Sequence, residues 1–231
     1  MTEALALHRA APQRSRRPRR TGRPTSTQAA RLDRDVRECA LRQFLEHGYD
    51  GTSMDDIARA AGTTKMTLYS RFKTKEDLFS SVLWWALHRA DWPLAEPKQP
   101  NLDDLRGALW VIAQAALERA LHPSMVKLSR IAATHALRFP DIAQRALMFG
   151  VSSRFQLVLE LLERHAARGA IVVENAPILA EHFLAMVSGA PARLALFGIV
   201  RDPQDARQRL RIAVDLFIRS LQRPSPLSRA P

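Results

Sequence analysis

The stretch ALRQFLEHGYDGTSMDDIARAAGTTKMTLYSRFKTKEDLFSSVL, residues 40–83, decides the fold. Apolar side chains recur at helical spacing over residues 33–47 and form one stripe. A second, shorter apolar repeat ends at Gly62, and a third begins just after it. Within the third repeat, Leu68 and Phe72 lie four residues apart and must face inward. Two short helices joined by a tight glycine turn and braced by a longer helix predict a helix-turn-helix.

The outward face of the third helix is the candidate DNA-reading surface. A helix fits the major groove of B-DNA, and its outward side chains near the N-terminus can reach base edges. The wheel of residues 64–71 turns these side chains outward or to the flanks: Lys65, Met66, Thr67, Tyr69 and Ser70. Phosphate contacts are expected at helix starts and flanks, from Thr52, Thr64, Tyr69 and Lys75. On spacing alone, a three-helix core unit that binds no DNA is the alternative.

The same stretch resembles the DNA-binding domain of the TetR family of transcriptional regulators. The matching residues are Phe44, Gly48, Thr52, Ile57, Ala58, Ala61, Gly62, Leu68, Tyr69, Phe72, Lys75, Glu76 and Leu78. The resemblance implies that Tyr69, Thr52 and Lys75 contact phosphates, and that the third helix reads a palindromic operator as half of a homodimer. It further implies a small-molecule effector that releases a repressor from that operator. Thr63 departs from the family pattern, which more often has Val at that turn.

Composition narrows the class of protein. The 231 residues are 46% apolar, which is enough for a sizeable core, and proline spacing with few period-two β-branched runs predicts an all-α chain. The single cysteine, Cys39, excludes a disulfide framework and points to a reducing cytoplasm. No apolar run approaches the ~18 residues of a membrane span. Neither a catalytic constellation nor a metal-ligand spacing is present, so we expect no enzyme activity, no cofactor and no metal.

Proline spacing and capping patterns divide the chain into four parts. We expect a disordered basic arm at 1–30, a helix-turn-helix domain at 31–80, a helical effector-binding and dimerisation domain at 81–223, and a flexible tail at 224–231. Helix starts are predicted where a capping side chain precedes a carboxylate by three residues: at Thr52, Thr74, Asn101 and Asp202. Helix stops are predicted at Gly48, Gly62, Gly169 and Gly198.

The net charge of +12 is unevenly distributed. Residues 1–34 hold nine Arg against two acidic residues, a net +7, whereas residues 35–80 hold seven basic and eight acidic residues. We expect the arm, residues 14–24 with Arg19, Arg20 and Arg23, to lie along the DNA backbone or minor groove, since TGRP is similar to the core of AT-hook segments. A generic solvated tail and a transit peptide are the alternatives. A basic protein that binds DNA or RNA without sequence preference is the alternative function.

The remaining helices are candidates for a ligand pocket and a dimer interface. Apolar and polar side chains that could line a pocket, but could equally be ordinary core, are Trp84, Trp85, Trp110, Met125, His135, Phe149 and Phe155. The last helix carries two apolar surfaces, so one can face the chain's own core and the other a partner. The residues assigned to the partner are Phe183, Val187, Leu210, Val214, Phe217, Ile218 and Leu221.

Overall fold

The structure is a computed structural model that describes residues 26–89, 93, 99–137 and 153–222. The arm arginines, the C-terminal tail and Phe149 lie outside these ranges. Within them the chain is helical and forms no strand, which confirms the all-α prediction. The helices are α1 (Ser26–His47), α2 (Met54–Ala60), α3 (Lys65–Arg71), α4 (Lys75–His88), α5 (Leu105–Leu121), α6 (Pro123–His135), α7 (Ser153–Ala167), α8 (Ala176–Leu184), α9 (Ala190–Leu196) and α10 (Pro203–Ser220).

Two of the four predicted helix starts are confirmed. Thr74 and Asp77 form a reciprocal capping box at α4, and the Asp202 side chain accepts backbone N–H groups at α10, which has Pro203 at its first position. Elsewhere the cap is displaced. Ser53 rather than Thr52 caps α2, and Asp104 rather than Asn101 caps α5. Because neighbouring polar side chains compete for the same N–H groups, sequence alone does not decide which of them wins.

Four glycines end helices in the left-handed conformation, as predicted. Their φ angles are 72° at Gly48, 62° at Gly62, 69° at Gly169 and 78° at Gly198.

The start of the first helix was predicted wrongly, because α1 begins at Ser26. Residues 26–30, expected in the disordered arm, are therefore helical.

The buried apolar side chains form two separate cores. The first joins α1 to α4 and takes in Met125, Leu128 and Ala132 of α6. The second joins α5, α7, α8 and α10. The first core therefore continues past the expected boundary at residue 80, along the whole of α4 and onto α6. We call α1 to α4 the DNA-binding unit and α5 with α7 to α10 the C-terminal unit, with α6 packed between them.

Helices α8 and α9 form one helical segment with a π turn between them. The turn covers Ala185–Gly189, and Pro191 follows in the first turn of α9. Proline has no N–H to donate to the preceding turn, and the wider turn accommodates this loss without ending the segment. Pro191 thus lies within a continuous helical segment and not between two separate helices.

Candidate nucleic-acid interface

The outer face of α3 is open to solvent, as the helical wheel predicted. Leu68 is fully buried and fixes the helix on the first core. On the opposite side Met66 is 81% exposed. Tyr69 is 41% exposed at the flank. The other predicted contacts on this face are exposed or half-buried: Thr64, Lys65, Thr67 and Ser70.

Hydroxyl groups hold one another in place along this face. Thr64 caps α3, and its Oγ accepts the Thr67 N–H at 3.1 Å and lies 2.8 Å from the Thr67 Oγ. The Ser70 hydroxyl donates to the Thr67 carbonyl oxygen at 2.8 Å. Each hydroxyl keeps accepting capacity toward solvent, and hydroxyls can bond base edges and phosphates. The face is therefore a preformed polar row with one apolar side chain, Met66, beside it.

Lys65 forms an ion pair with Asp55, which the sequence analysis did not predict. Its Nζ lies 2.9 Å from an Asp55 carboxylate oxygen, and the pKa of Lys65 is raised, chiefly by this hydrogen bond. The ammonium also stands over the Tyr69 ring, 5.9 Å from its centroid. Asp55 lies on α2, ten residues earlier, so only the helix-turn-helix geometry brings the two together. Because the pair is exposed, DNA could compete with Asp55 for the lysine.

Thr52 and Lys75, which were predicted to contact phosphates, make internal hydrogen bonds in this structure, and their contact with phosphates stays a prediction. Thr52 is 2% exposed, and its hydroxyl donates to the carbonyl oxygen of Gly48 at 2.7 Å and lies 3.1 Å from that of Gln43. The Lys75 ammonium donates to the carbonyl oxygens of Tyr49, at 3.0 Å, and Thr52, at 3.1 Å. Both side chains close the turn between α1 and α2. They therefore stabilise the turn that leads into the helix-turn-helix.

Further contacts fix α3 and α4 against α1. Arg71, the last residue of α3, forms an ion pair with Asp33. Arg37 donates to the Ser81 hydroxyl of α4 at 3.0 Å, and its guanidinium lies over the Phe72 ring. The exposed face of α3 is thus carried by a unit that is braced at the C-terminal end of this helix.

Most of the predicted pocket residues that the structure describes are divided between the two cores. Trp85 and Met125 belong to the first core, and the His135 ring lies 4.6 Å from that of Tyr49 in the same core. Trp110 and Phe155 pack against the second core. Trp84 stacks on His88, with ring centroids 3.7 Å apart. Side chains that are similarly apolar along the sequence are thus divided between two cores, and a pocket lined by them stays a prediction.

A groove of about 320 Å³ lies elsewhere, in the C-terminal unit. It runs between the end of α5, the π turn, α9 and α10. Its walls are mainly apolar, with Arg201 and Arg209 among the lining residues. The exposed apolar side chains on and beside it are Met186, Phe197, Ile199, Val200, Ile212 and Leu216.

The residues predicted to form the dimer interface lie in the chain's own core. Seven side chains, between 0 and 8% exposed, belong to the second core: Phe183, Val187, Leu210, Val214, Phe217, Ile218 and Leu221. A side chain enclosed within one copy cannot also cover a second copy. The predicted roles of the two apolar stripes of α10 are therefore reversed. The stripe that faces solvent is that of Ile212 and Leu216, which are 50% and 51% exposed.

Other kinds of site find little support. No group of three or more His, Cys, Asp or Glu is placed to hold a metal ion in the ranges that the structure describes. Cys39 is buried, and its thiol donates to the Ala60 carbonyl oxygen at 3.3 Å. Among the described helices, none is both long and apolar enough to cross a membrane.

Comparison with known proteins agrees with this geometry. Residues 37–82 match the family described as bacterial regulatory proteins, tetR family. Residues 107–221 match the C-terminal domain of AefR-like transcriptional repressors. Among solved structures, a TetR-family regulator from Mesorhizobium loti is 24% identical with a TM-score of 0.67, over 84% of this chain and 98% of that one. The flavonoid-responsive regulator FrrA is 28% identical with a TM-score of 0.65, over 85% of this chain and 100% of that one.

The curated relatives match over a short region only. The transcriptional regulator AcrR of Shigella flexneri is 38% identical over 69 residues, which are 30% of this chain and 31% of AcrR. The repressor ComR of Escherichia coli is 44% identical over 53 residues, 22% of this chain and 25% of ComR. The chain thus spans about a third or less of the length of these two relatives. With both parts of the family architecture matched and its fold reproduced, the chain belongs to the TetR family of transcriptional regulators.

Proposed function

We propose that this regulator is a homodimeric repressor, which binds a palindromic operator in the cytoplasm and is released from it by a small-molecule effector. The observation that carries the proposal is the exposed face of α3, where polar side chains and Met66 face solvent on a braced helix. Such a face suits the major groove, where hydroxyls bond base edges and an apolar side chain can meet a thymine methyl. Lys65, Thr67 and Ser70 are the proposed base contacts, and Thr64 and Tyr69 the proposed phosphate contacts.

The dimer is proposed to form through α9 and α10. Ile199, Val200, Ile212 and Leu216 are all at least 50% exposed and lie along the 320 Å³ groove. An exposed apolar surface of this kind usually marks an interaction site. If two copies meet there about a two-fold axis, their α3 helices would read half-sites about 34–36 Å apart or a multiple of this.

An effector response is supported by the C-terminal match to AefR-like repressors and by the neighbour named as flavonoid-responsive. For release to occur, the effector must prefer the conformation that does not fit the operator. Helix α4 is the natural connection, because it starts beside α3 and ends against α5.

Selection of binding sites from random DNA with the purified full-length protein tests the function. A palindrome with half-sites about 10 base pairs apart, or a multiple of this, is expected. Specific binding should exceed binding to random duplex by at least about 10³-fold. Equal affinity for every duplex would favour the alternative, a basic protein that binds nucleic acid without sequence preference.

The substitution Leu216→Asp tests the dimer. It places a charge in the middle of the exposed α10 stripe, so we expect monomers in sedimentation and an operator affinity lower by at least about tenfold, since two linked half-sites become one. Val172→Asp is the matched control, because Val172 is also an exposed apolar side chain, at 41%, but does not line the groove. A Leu216→Asp protein that stays dimeric would contradict this interface.

A further inference from the structure

Arg154 is a buried cation without a hydrogen-bond partner at its Nε. It is the second residue of α7 and is only 7% exposed. Its Nε–H is enclosed and meets no acceptor among the described residues. Burial lowers the pKa of the guanidinium, and the Glu118 carboxylate on α5 partly opposes this shift. Because arginine stays protonated in proteins, the positive charge remains in this interior position.

A second buried arginine of the same chain shows how such a charge is normally satisfied. Arg119 of α5 is 9% exposed and donates to the carbonyl oxygens of Ala86, Leu87 and Arg89, at 3.1, 2.7 and 2.6 Å. A buried charged group without such partners is costly, and folded proteins seldom leave one. The contrast between these two buried arginines leaves the Arg154 Nε–H available for a partner that the described residues do not supply.

The surroundings of Arg154 select the chemistry of that partner. The first turn of α7 contains no acidic residue, so the positive end of the helix dipole adds to the charge of Arg154. Val158 and Leu161 follow Arg154 by four and seven residues on the same face of α7 and belong to the second core, which provides an apolar wall. A single guanidinium with an apolar wall suits one carboxylate on an apolar body, which the planar guanidinium can bind through two parallel hydrogen bonds.

We propose that Arg154 anchors the carboxylate of the effector, which is therefore a small organic acid rather than a neutral or cationic compound. The proposal rests on the function proposed above and adds the ligand class. It also connects the site to α4. Glu118, whose charge acts on Arg154, precedes Arg119, and Arg119 binds the last carbonyl groups of α4. A carboxylate bound to Arg154 would compete with Glu118 for the positive charge of Arg154. Glu118 is the residue before Arg119, so this competition takes place next to the contact with α4.

Thermal unfolding in chloride and in acetate, at equal ionic strength, tests the site without DNA and without knowledge of the natural effector. We expect Arg154→Met to raise Tm by about 2–4 °C in chloride, because it removes a buried N–H group that has no hydrogen-bond acceptor. Acetate should raise the Tm of the wild type more than that of Arg154→Met. Arg154→Lys keeps the charge but not the two-pronged geometry, and should show a reduced acetate response.

Arg164→Met is the matched control, since Arg164 lies on the same helix, at 39% exposure, and pairs with Asp103. It should keep the full acetate response. An equal acetate response in the wild type and Arg154→Met, or a lower Tm for Arg154→Met in chloride, would overturn the proposal and make Arg154 a structural residue.

Operator release separates this inference from the proposed function. With the selected operator, octanoate and 2-naphthoate are compared with octanamide and 2-naphthamide, which have the same apolar bodies without the charge. At least one acid should weaken operator binding about tenfold or more in the wild type but not in Arg154→Met, and the amides should not act. If no operator is found, the proposed function fails while the acetate result stands. If an operator is found and amides act as well as acids, the ligand class alone is wrong.

Discussion

At the scale of single residues, the candidate interface depends on side chains that have partners within the chain before DNA arrives. Lys65 is bound to Asp55, and the hydroxyls of Thr64, Thr67 and Ser70 are bound to one another or to the backbone. Such contacts reduce the rotamer freedom that would be lost on binding, but an ion pair must also be exchanged for a DNA contact. We therefore expect Asp55 on α2 to lower the affinity of the protein for DNA.

Substitution of Asp55 tests this role. In Asp55→Asn, Lys65 loses its charged partner, so we expect operator affinity to rise about two- to fivefold, a range typical of exposed pairs. The gain should disappear in a Lys65→Met background, where no ammonium remains to be released. Fluorescence anisotropy with labelled operator measures both. A gain of the same size in the Lys65→Met background would mean that Asp55 acts only by general repulsion of DNA.

At the scale of elements, the helix-turn-helix depends on how each helix ends. Thr64 and Thr74 cap α3 and α4, and Gly62 lets the chain turn between α2 and α3. A Cβ added at Gly62 would meet no other atom, so another residue at this position would destabilise the protein only through its backbone conformation. Glycine is therefore favoured at position 62 by its backbone conformation and not by a lack of space for a side chain.

Replacement of Gly62 by alanine should therefore destabilise the protein by about 1–2 kcal/mol, because its φ of 62° is strained for an L-residue. Gly189→Ala is the matched control. Gly189 has a helical φ of −64° and also has open space around its Cβ position, so alanine there should stabilise by about 0.5–1 kcal/mol. Urea unfolding followed by circular dichroism compares the two. Similar effects at both positions would contradict the conformational explanation.

At the scale of the whole molecule, charge and sequence reading occupy different parts of the chain. The DNA-binding unit has nearly balanced charge, whereas the first 25 residues hold seven Arg against Glu3. Attraction between a basic segment and DNA is largely a release of counterions and depends steeply on salt. The arm should thus supply affinity, and α3 should supply specificity.

Deletion of residues 1–25 ends at the start of α1 and leaves the helix intact. We expect severalfold weaker operator binding and a flatter dependence of log affinity on log salt, by about 0.9 for each phosphate that the arm neutralises. The triple change of Arg19, Arg20 and Arg23 to Lys keeps the charge. It should leave affinity unchanged if the arm is only a basic tail, and should reduce it at A·T-rich operators if the arginines lie in the minor groove. Unchanged affinity and slope after the deletion would refute a role for the arm.

The sequence by itself determined the fold class, the helix-turn-helix and the outward face of α3, because these depend on local periodicity. Leu68 buried and Met66 exposed follow from a helical wheel, and the glycines that end helices follow from backbone sterics. Resemblance to the family added the identity of the domain. None of these inferences needed a contact between distant residues.

Only the tertiary structure decided which of two similar surfaces is buried and which polar groups find partners. Both stripes of α10 are apolar, and their assignment to core or solvent depended on where α5 and α8 pack. The same is true of Lys75, bound to carbonyl groups some twenty residues away, and of Arg119 and Arg154, which are equally buried but differently satisfied. Burial and hydrogen bonding are properties of an assembled interior. A periodic pattern can therefore identify an apolar face but not what packs against it.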